Sequence, residues 1–123
     1  MKFLLDTNFL LAVGQFKLDV FSELQNFGKP ELYTLDLVVR ELKKISGAGG
    51  KDSRHAKFAL MLVEKKNVKI LKTENENTDQ EIERIASEES LTVCTQDRTL
   101  IRRLQAEDID VIIIRQKKYL KKV

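Results

Sequence analysis

Four acidic residues, far apart in the chain, stand where apolar side chains would be expected: Asp6, Glu41, Asp79 and Asp97. Asp6 ends the apolar run Phe3-Leu4-Leu5, which suits a buried strand. Glu41 lies between Val38 and Ile45 at helical spacing and shares the stripe Val38, Leu42, Ile45. Asp79 shares a stripe with Ile82 and Ala86, and Asp97 with Leu100 and Leu104. A buried carboxylate without a partner is costly; it takes up a proton, finds a counter-charge or coordinates a metal. Four of them gathered together repel one another, and a divalent cation removes that repulsion. With no His or Cys among them, the donors suit a hard ion, Mg²⁺ or Mn²⁺. Such an ion in such a setting fits hydrolysis of a phosphodiester. Each acid also has a structural alternative. Asp79 and Asp97 fall in first turns of helices, where acids are favoured. Thr78-Asp79-Gln80-Glu81 reads as a capping box with Thr78 as cap. Glu41 fits a helix boundary position, and Asp6 could cap the helix behind it. Independent caps, however, need not converge.

The elements that would carry these acids alternate regularly. Strands are expected over residues 2–5, 31–35, 68–71, 91–95 and 111–114. Helices are expected over 8–13, ended by Gly14, then over 19–27, 36–45, 52–66, 77–89 and 97–106. Residues 46–51, SGAGGK, read as a flexible loop, and residues 115–123 as a basic tail. Alternating strands and helices imply a parallel sheet with helices on both faces, a three-layer α/β sandwich. Ligands of such sheets sit beyond the carboxyl ends of the strands, where the winding reverses. Asp6 and Asp97 both follow strand ends.

The 123 residues are the size of one domain, taken here as 1–123. A single cysteine, Cys94, excludes an intrachain disulfide. No signal-peptide pattern opens the chain, and no apolar run approaches the ~20 residues of a membrane span. A cytoplasmic protein with no membrane association is the expectation. Lys and Arg number 22 against 19 acids, but they are segregated. Residues 40–72 and the tail are basic; 73–97 is acidic. That pattern suits an acidic centre with a basic rim for a polyanion, with Lys51, Arg54, Lys57, Arg98, Lys117 and Lys118 as candidate phosphate contacts. The bland alternative is charge that solvates helix faces. Gly50-Lys51 is followed by Asp52 and comes after a helix, so it is not a phosphate-binding P-loop. His55 has no Cys or His partner nearby for a zinc site, and a place on the helix surface is expected.

In order, apolar strand–Asp-Thr-Asn, VVRELKKI, TDQEIERIA and a strand ending in TQD resemble the PIN domain of metal-dependent ribonucleases over essentially the whole chain. The resemblance implies a five-stranded parallel sheet in the order 3-2-1-4-5. It implies Asp6, Glu41, Asp79 and Asp97 as the acidic quartet, catalytic and metal-binding, with Asn8 and Thr95 in support. It also implies an RNA substrate and, commonly, a homodimer. Two branches compete. One processes rRNA within a ribosomal precursor particle; SGAGGKDSRHAKFAL, TVCTQDRTLIRRL and IIIRQKKYLKKV are similar to it and favour it. The other is the VapC-type toxin, paired with an antitoxin protein. A third reading keeps the fold as a non-catalytic RNA-binding or assembly module.

Overall fold

The computed structural model describes residues 1–123. β1 (Lys2–Leu5) leads into α1 (Thr7–Phe16) and α2 (Val20–Leu24), and a short 3₁₀ turn follows. Then come β2 (Glu31–Leu35), α3 (Asp36–Ala48), α4 (Lys51–Lys65), β3 (Lys69–Leu71) and α5 (Thr78–Glu89). β4 (Thr92–Cys94), α6 (Arg98–Ala106), β5 (Val111–Arg115) and β6 (Tyr119–Lys122) complete the chain. No helix is long and apolar enough to cross a membrane.

The sheet has six strands in the order β3-β2-β1-β4-β5-β6, not five. β1 to β5 pair in parallel, and β6 returns antiparallel to β5. The expected tail is thus the sixth strand. Its hairpin turn has positive φ at both Gln116 and Lys117, and Lys118 N–H donates to Arg115 C=O at 3.1 Å. Lys121 and Lys122 keep this edge charged, which discourages pairing with another chain. The register sets Leu4 beside Val93 and Leu5 beside Cys94. All four are fully buried, each apolar side chain contributing about 1.5–3 kcal/mol by burial.

Three expectations about helix ends are corrected. Gly14 does not end α1 but lies within it, against α4. A Cβ on Gly14 would stand 3.1 Å from the His55 carbonyl oxygen, so the absent side chain lets the two helices approach closely. His55 is accordingly half-buried in that contact instead of lying on the surface. α3 continues through Ser46 to Ala48, leaving only Gly49 and Gly50 between α3 and α4, both at positive φ that suits glycine. Ser53 helps close that joint, its hydroxyl donating to Ser46 C=O at 2.6 Å. Finally, Asn77 and not Thr78 caps α5, accepting from Gln80 N–H at 3.0 Å.

Candidate active site

The winding of the sheet reverses between β1 and β4, and the predicted acids meet beyond the carboxyl ends of those strands. Asp6, Glu41, Asp79 and Asp97 all line one cleft of about 180 Å³, together with Thr7, Asn8, Leu11 and Thr78. β1 delivers Asp6, α3 Glu41, α5 Asp79, and the turn from β4 into α6 Asp97. No Lys or Arg lines the cleft, and none of the molecule's ion pairs includes any of these four acids.

Burial differs among them. Asp6 is the buried acid, only 5% exposed. Asp79 and Asp97 are half-buried, and Glu41 is exposed at the mouth. Glu41 thus does not face inward with the stripe its spacing suggested, and the boundary alternative describes it better. In α3 the buried residues are Leu37, Val38 and Leu42, and Glu41 borders that stripe where the cleft opens.

Asp6 is held firmly. It accepts from Thr7 N–H through Oδ1 and from the Thr95 hydroxyl through Oδ2, at 2.8 and 2.7 Å. Burial raises its pKa to about 6 despite these two bonds, with the charges of Asp79 and Glu41 adding to the rise. Asp79 is also raised, first by burial and then by the charge of Asp97. Asp97 is the cap of α6, its Oδ1 accepting from Thr99 and Leu100 N–H at 3.0 and 3.2 Å. The capping alternative is thus true of Asp97, and of Asp6 for α1, without taking either out of the cleft.

Asn8 and Thr95 tie the first and last acids together. Thr95 Oγ1 accepts from Asp97 N–H at 3.2 Å while donating to Asp6. Asn8 Oδ1 accepts from Gln96 N–H at 2.9 Å, pinning α1 to the β4–α6 turn. Sequence reasoning missed Gln96. Its side-chain amide accepts from Ile114 N–H and donates to Ile114 C=O, which anchors the same turn to β5. It also missed Thr7, a buried residue of the cleft whose hydroxyl has no hydrogen-bond partner. Thr7 lies within the Asp-Thr-Asn segment and Gln96 within Thr-Gln-Asp, but periodicity gives neither of them a role.

The candidate RNA contacts are not in the cleft. Lys51, Arg54 and Lys57 are exposed on α4, and Arg98 is exposed beside Asp97. Lys117 places its ammonium 5.6 Å from the ring centre of Phe16, and Lys118 closes the β5–β6 turn.

An acid cleft with no cationic side chain in its lining, only the charge of Arg103 acting on Asp79 from outside it, and with an orphaned hydroxyl in its wall suits a hard cation and its hydrating water. No three of the chain's His, Cys, Asp and Glu side chains form a ready-made metal cage. Mg²⁺ does not require one, since it keeps several waters and is commonly held by one or two carboxylates. The donor chemistry therefore fits such an ion.

Comparison with known proteins agrees with this fold. Ribonuclease VapC9 of Archaeoglobus fulgidus is 32% identical over 114 residues, spanning 92% of this chain and 82% of its own. Ribonuclease VapC4 of Methanocaldococcus jannaschii is 31% identical over 120 residues, spanning 93% and 90%. Among solved structures, the PIN domain endonuclease Utp24 superposes with a TM-score of 0.81 at 24% identity, covering 98% of this chain and 90% of that one. A chain of VapBC-1 from nontypeable Haemophilus influenzae does so at 0.64 and 17% identity, covering 90% and 96%. These two structures share the fold. Residues 3–117 match the sequence profile of the PIN-like domain, and the chain belongs to that family.

Proposed function

We propose that this protein is a metal-dependent endoribonuclease that hydrolyses RNA phosphodiester bonds, with Asp6, Glu41, Asp79 and Asp97 holding Mg²⁺ or Mn²⁺. The observation that carries the reading is the meeting of these four acids, from four separate segments, in one cleft without a cationic side chain. The ribonuclease names of the two relatives at 31–32% identity support it. When bound, the ion supplies the positive charge that acidifies the attacking water and stabilises in-line displacement at phosphorus. The chain's own residues do the rest. Asp6, held by Thr7 N–H and Thr95, presents a fixed carboxylate to the ion and to the proton of the attacking water. Asp79 and Asp97 orient water from the α5 and α6 side, and Glu41 closes the mouth. Asn8, Thr95 and Gln96 are positioning residues for this set.

Within this activity we place the protein in rRNA processing, on the basic stretch after Glu41 and the basic carboxyl end. The names of the VapC relatives favour a second reading, a toxin ribonuclease neutralised by an antitoxin protein. The direct test is cleavage of a structured RNA with Mn²⁺ by wild type and by Asp6→Asn. Cutting by wild type alone is expected. Equal cutting by both identifies a contaminant, and RNA binding without cutting by either leaves a non-catalytic binding module. Growth arrest on expression, relieved by a neighbouring gene product, selects the toxin; accumulation of unprocessed rRNA in cells lacking the protein selects processing.

A further inference from the structure

A second concavity lies alongside the cleft. It holds about 790 Å³, between the end of α1, α2 and α4, within the ~300–1,000 Å³ range of ligand sites. α1 is common to both: Leu11 lines the acid cleft and Gly14 lines the groove. Three helical residues rise only ~4.5 Å, so the two sites are less than a turn apart along that helix.

The groove has the charge that the cleft lacks. Lys17, Arg54 and Lys66 line it against a single carboxylate, Asp19. Both oxygens of Asp19 are already engaged, by Ser22 N–H at 3.2 Å and by the Ser22 hydroxyl at 2.7 Å. Between the cations stands an aromatic wall. Phe58 is 41% exposed, and Phe21 lies beneath the Lys66 ammonium at 5.6 Å. The metal-free cleft repels a polyanion, so affinity for RNA in the absence of an ion must come from outside it.

We infer that this groove is a substrate exosite for single-stranded RNA, with phosphates beside Lys17, Arg54 and Lys66 and a base stacked on Phe58. The inference rests on the ribonuclease reading for its ligand. Cations spaced around an exposed aromatic ring match an alternating chain of phosphates and flat bases. The strand that enters the cleft at its scissile phosphate continues over α1 into the groove. Of the contacts expected from sequence, Arg54 falls here; Lys17, Lys66 and Phe58 are new.

The chain contains no tryptophan, so Phe58→Trp puts a single indole reporter in the groove. The probe is a labelled oligouridylate of about 12 nucleotides, within the ~4–16 that such sites engage. Binding is read by anisotropy in EDTA, where nothing is cut. Phe58→Trp serves as the reporter: its emission should be quenched by the oligonucleotide but not by an abasic one of equal length. Lys17→Glu/Lys66→Glu should bind at least about tenfold more weakly, and its salt slope should fall by about 1.4, near 0.7 per lost single-strand phosphate contact. RNA binding that saturates with the indole emission unmoved overturns the inference. So does a folded double variant whose affinity stays within twofold of wild type, whatever else the groove then binds. The nuclease reading is tested separately by Mn²⁺-dependent cutting. No cutting by wild type, with quenching intact, removes the enzyme and leaves the exosite; cutting by the groove variants with unchanged KM removes the exosite and leaves the enzyme.

Discussion

Asp6 and Glu81 are both more than nine-tenths buried, yet their carboxyl groups are driven in opposite directions. Glu81 has a full set of partners. Arg84 donates to both of its oxygens, at 2.8 and 3.0 Å, and the backbone N–H groups of Glu74 and Asn75 donate to one of them. The Arg84 bonds lead in lowering its pKa to about 2, against the opposing effect of burial. Asp6 has two neutral donors and no cation, and burial takes it up to about 6. Burial alone therefore does not mark a working acid; burial with the charge left unmet does. Glu81 spends its charge locally, closing the β3–α5 loop against the helix that presents Asp79. Asp6 keeps its charge for something that enters the cleft.

The largest test of this contrast is loss of function. Asp6→Asn should lower Mn²⁺-dependent cutting by at least ~10²-fold, the scale of losing a positioned acid–base group, while the protein stays folded. Glu81→Gln should do the reverse. It leaves Arg84 with only the exposed Glu88 carboxylate as an ion-pair partner and should cost about 1–3 kcal/mol of stability, read by urea unfolding at neutral pH. Cutting, measured where the variant is still folded, should fall far less than in Asp6→Asn. A folded Glu81→Gln as inactive as Asp6→Asn would erase the division between the two carboxylates.

A smaller effect is the pH dependence of stability in metal-free protein. Asp6 has a folded pKa above its unfolded value, from 3.8 to about 6. Between those values the folded state binds the extra proton, so the contribution of Asp6 to stability is lost as pH rises through that window. Glu81 has a folded pKa below its unfolded value, from 4.5 down to about 2. Its contribution is present above 4.5 and lost as pH falls towards 2. Urea titrations in EDTA should show Asp6→Asn gaining on wild type from pH 4 to pH 7. Glu81→Gln should lose least at the acid end. Saturating Mn²⁺ should reverse the advantage of Asp6→Asn, because the ion stabilises only the protein that binds it.

The sequence carries most of this architecture because its signals are periodic. A carboxylate on a core stripe is visible in Asp79 and Asp97, and an apolar run broken by an acid is visible at Asp6. Parallel strands buried on both faces, such as Val111–Arg115, read as near-continuous apolar runs. Other features have no such trace. Positive φ at two successive turn residues is usually advertised by Asn-Gly; here Gln116 and Lys117, in the three-residue loop from β5 to β6, adopt it, so β6 read as a tail. Gly14 looks like a helix terminator, although its role is the α1–α4 contact. Glu81 looks like half of a capping box, but its partners are Arg84 one turn on and two N–H groups of a loop whose path depends on tertiary structure. The exposure of Glu41 depends on where the cleft opens, which periodicity along one helix cannot specify.

The finest test separates two buried threonines of the same site. Thr95 Oγ1 donates to Asp6 and accepts from Asp97 N–H, so Thr95→Val leaves a buried carboxylate oxygen and a backbone N–H unpaired. That should cost about 1–3 kcal/mol in metal-free protein. Thr7 Oγ1 has no partner in the chain, so Thr7→Val removes an unmet group at nearly constant volume. Metal-free Thr7→Val should be as stable as wild type or up to about 1 kcal/mol more so, since deleting an unsatisfied polar group relieves its desolvation cost. The two variants make the same chemical change only a few ångströms apart, and they should move the urea midpoint in opposite directions. If Thr7→Val destabilises as much as Thr95→Val does, its hydroxyl is already satisfied within the fold. The wall of the cleft would then hold no polar atom in reserve for an ion's water, and Asp6 would be left as the one buried group there whose needs the fold does not meet.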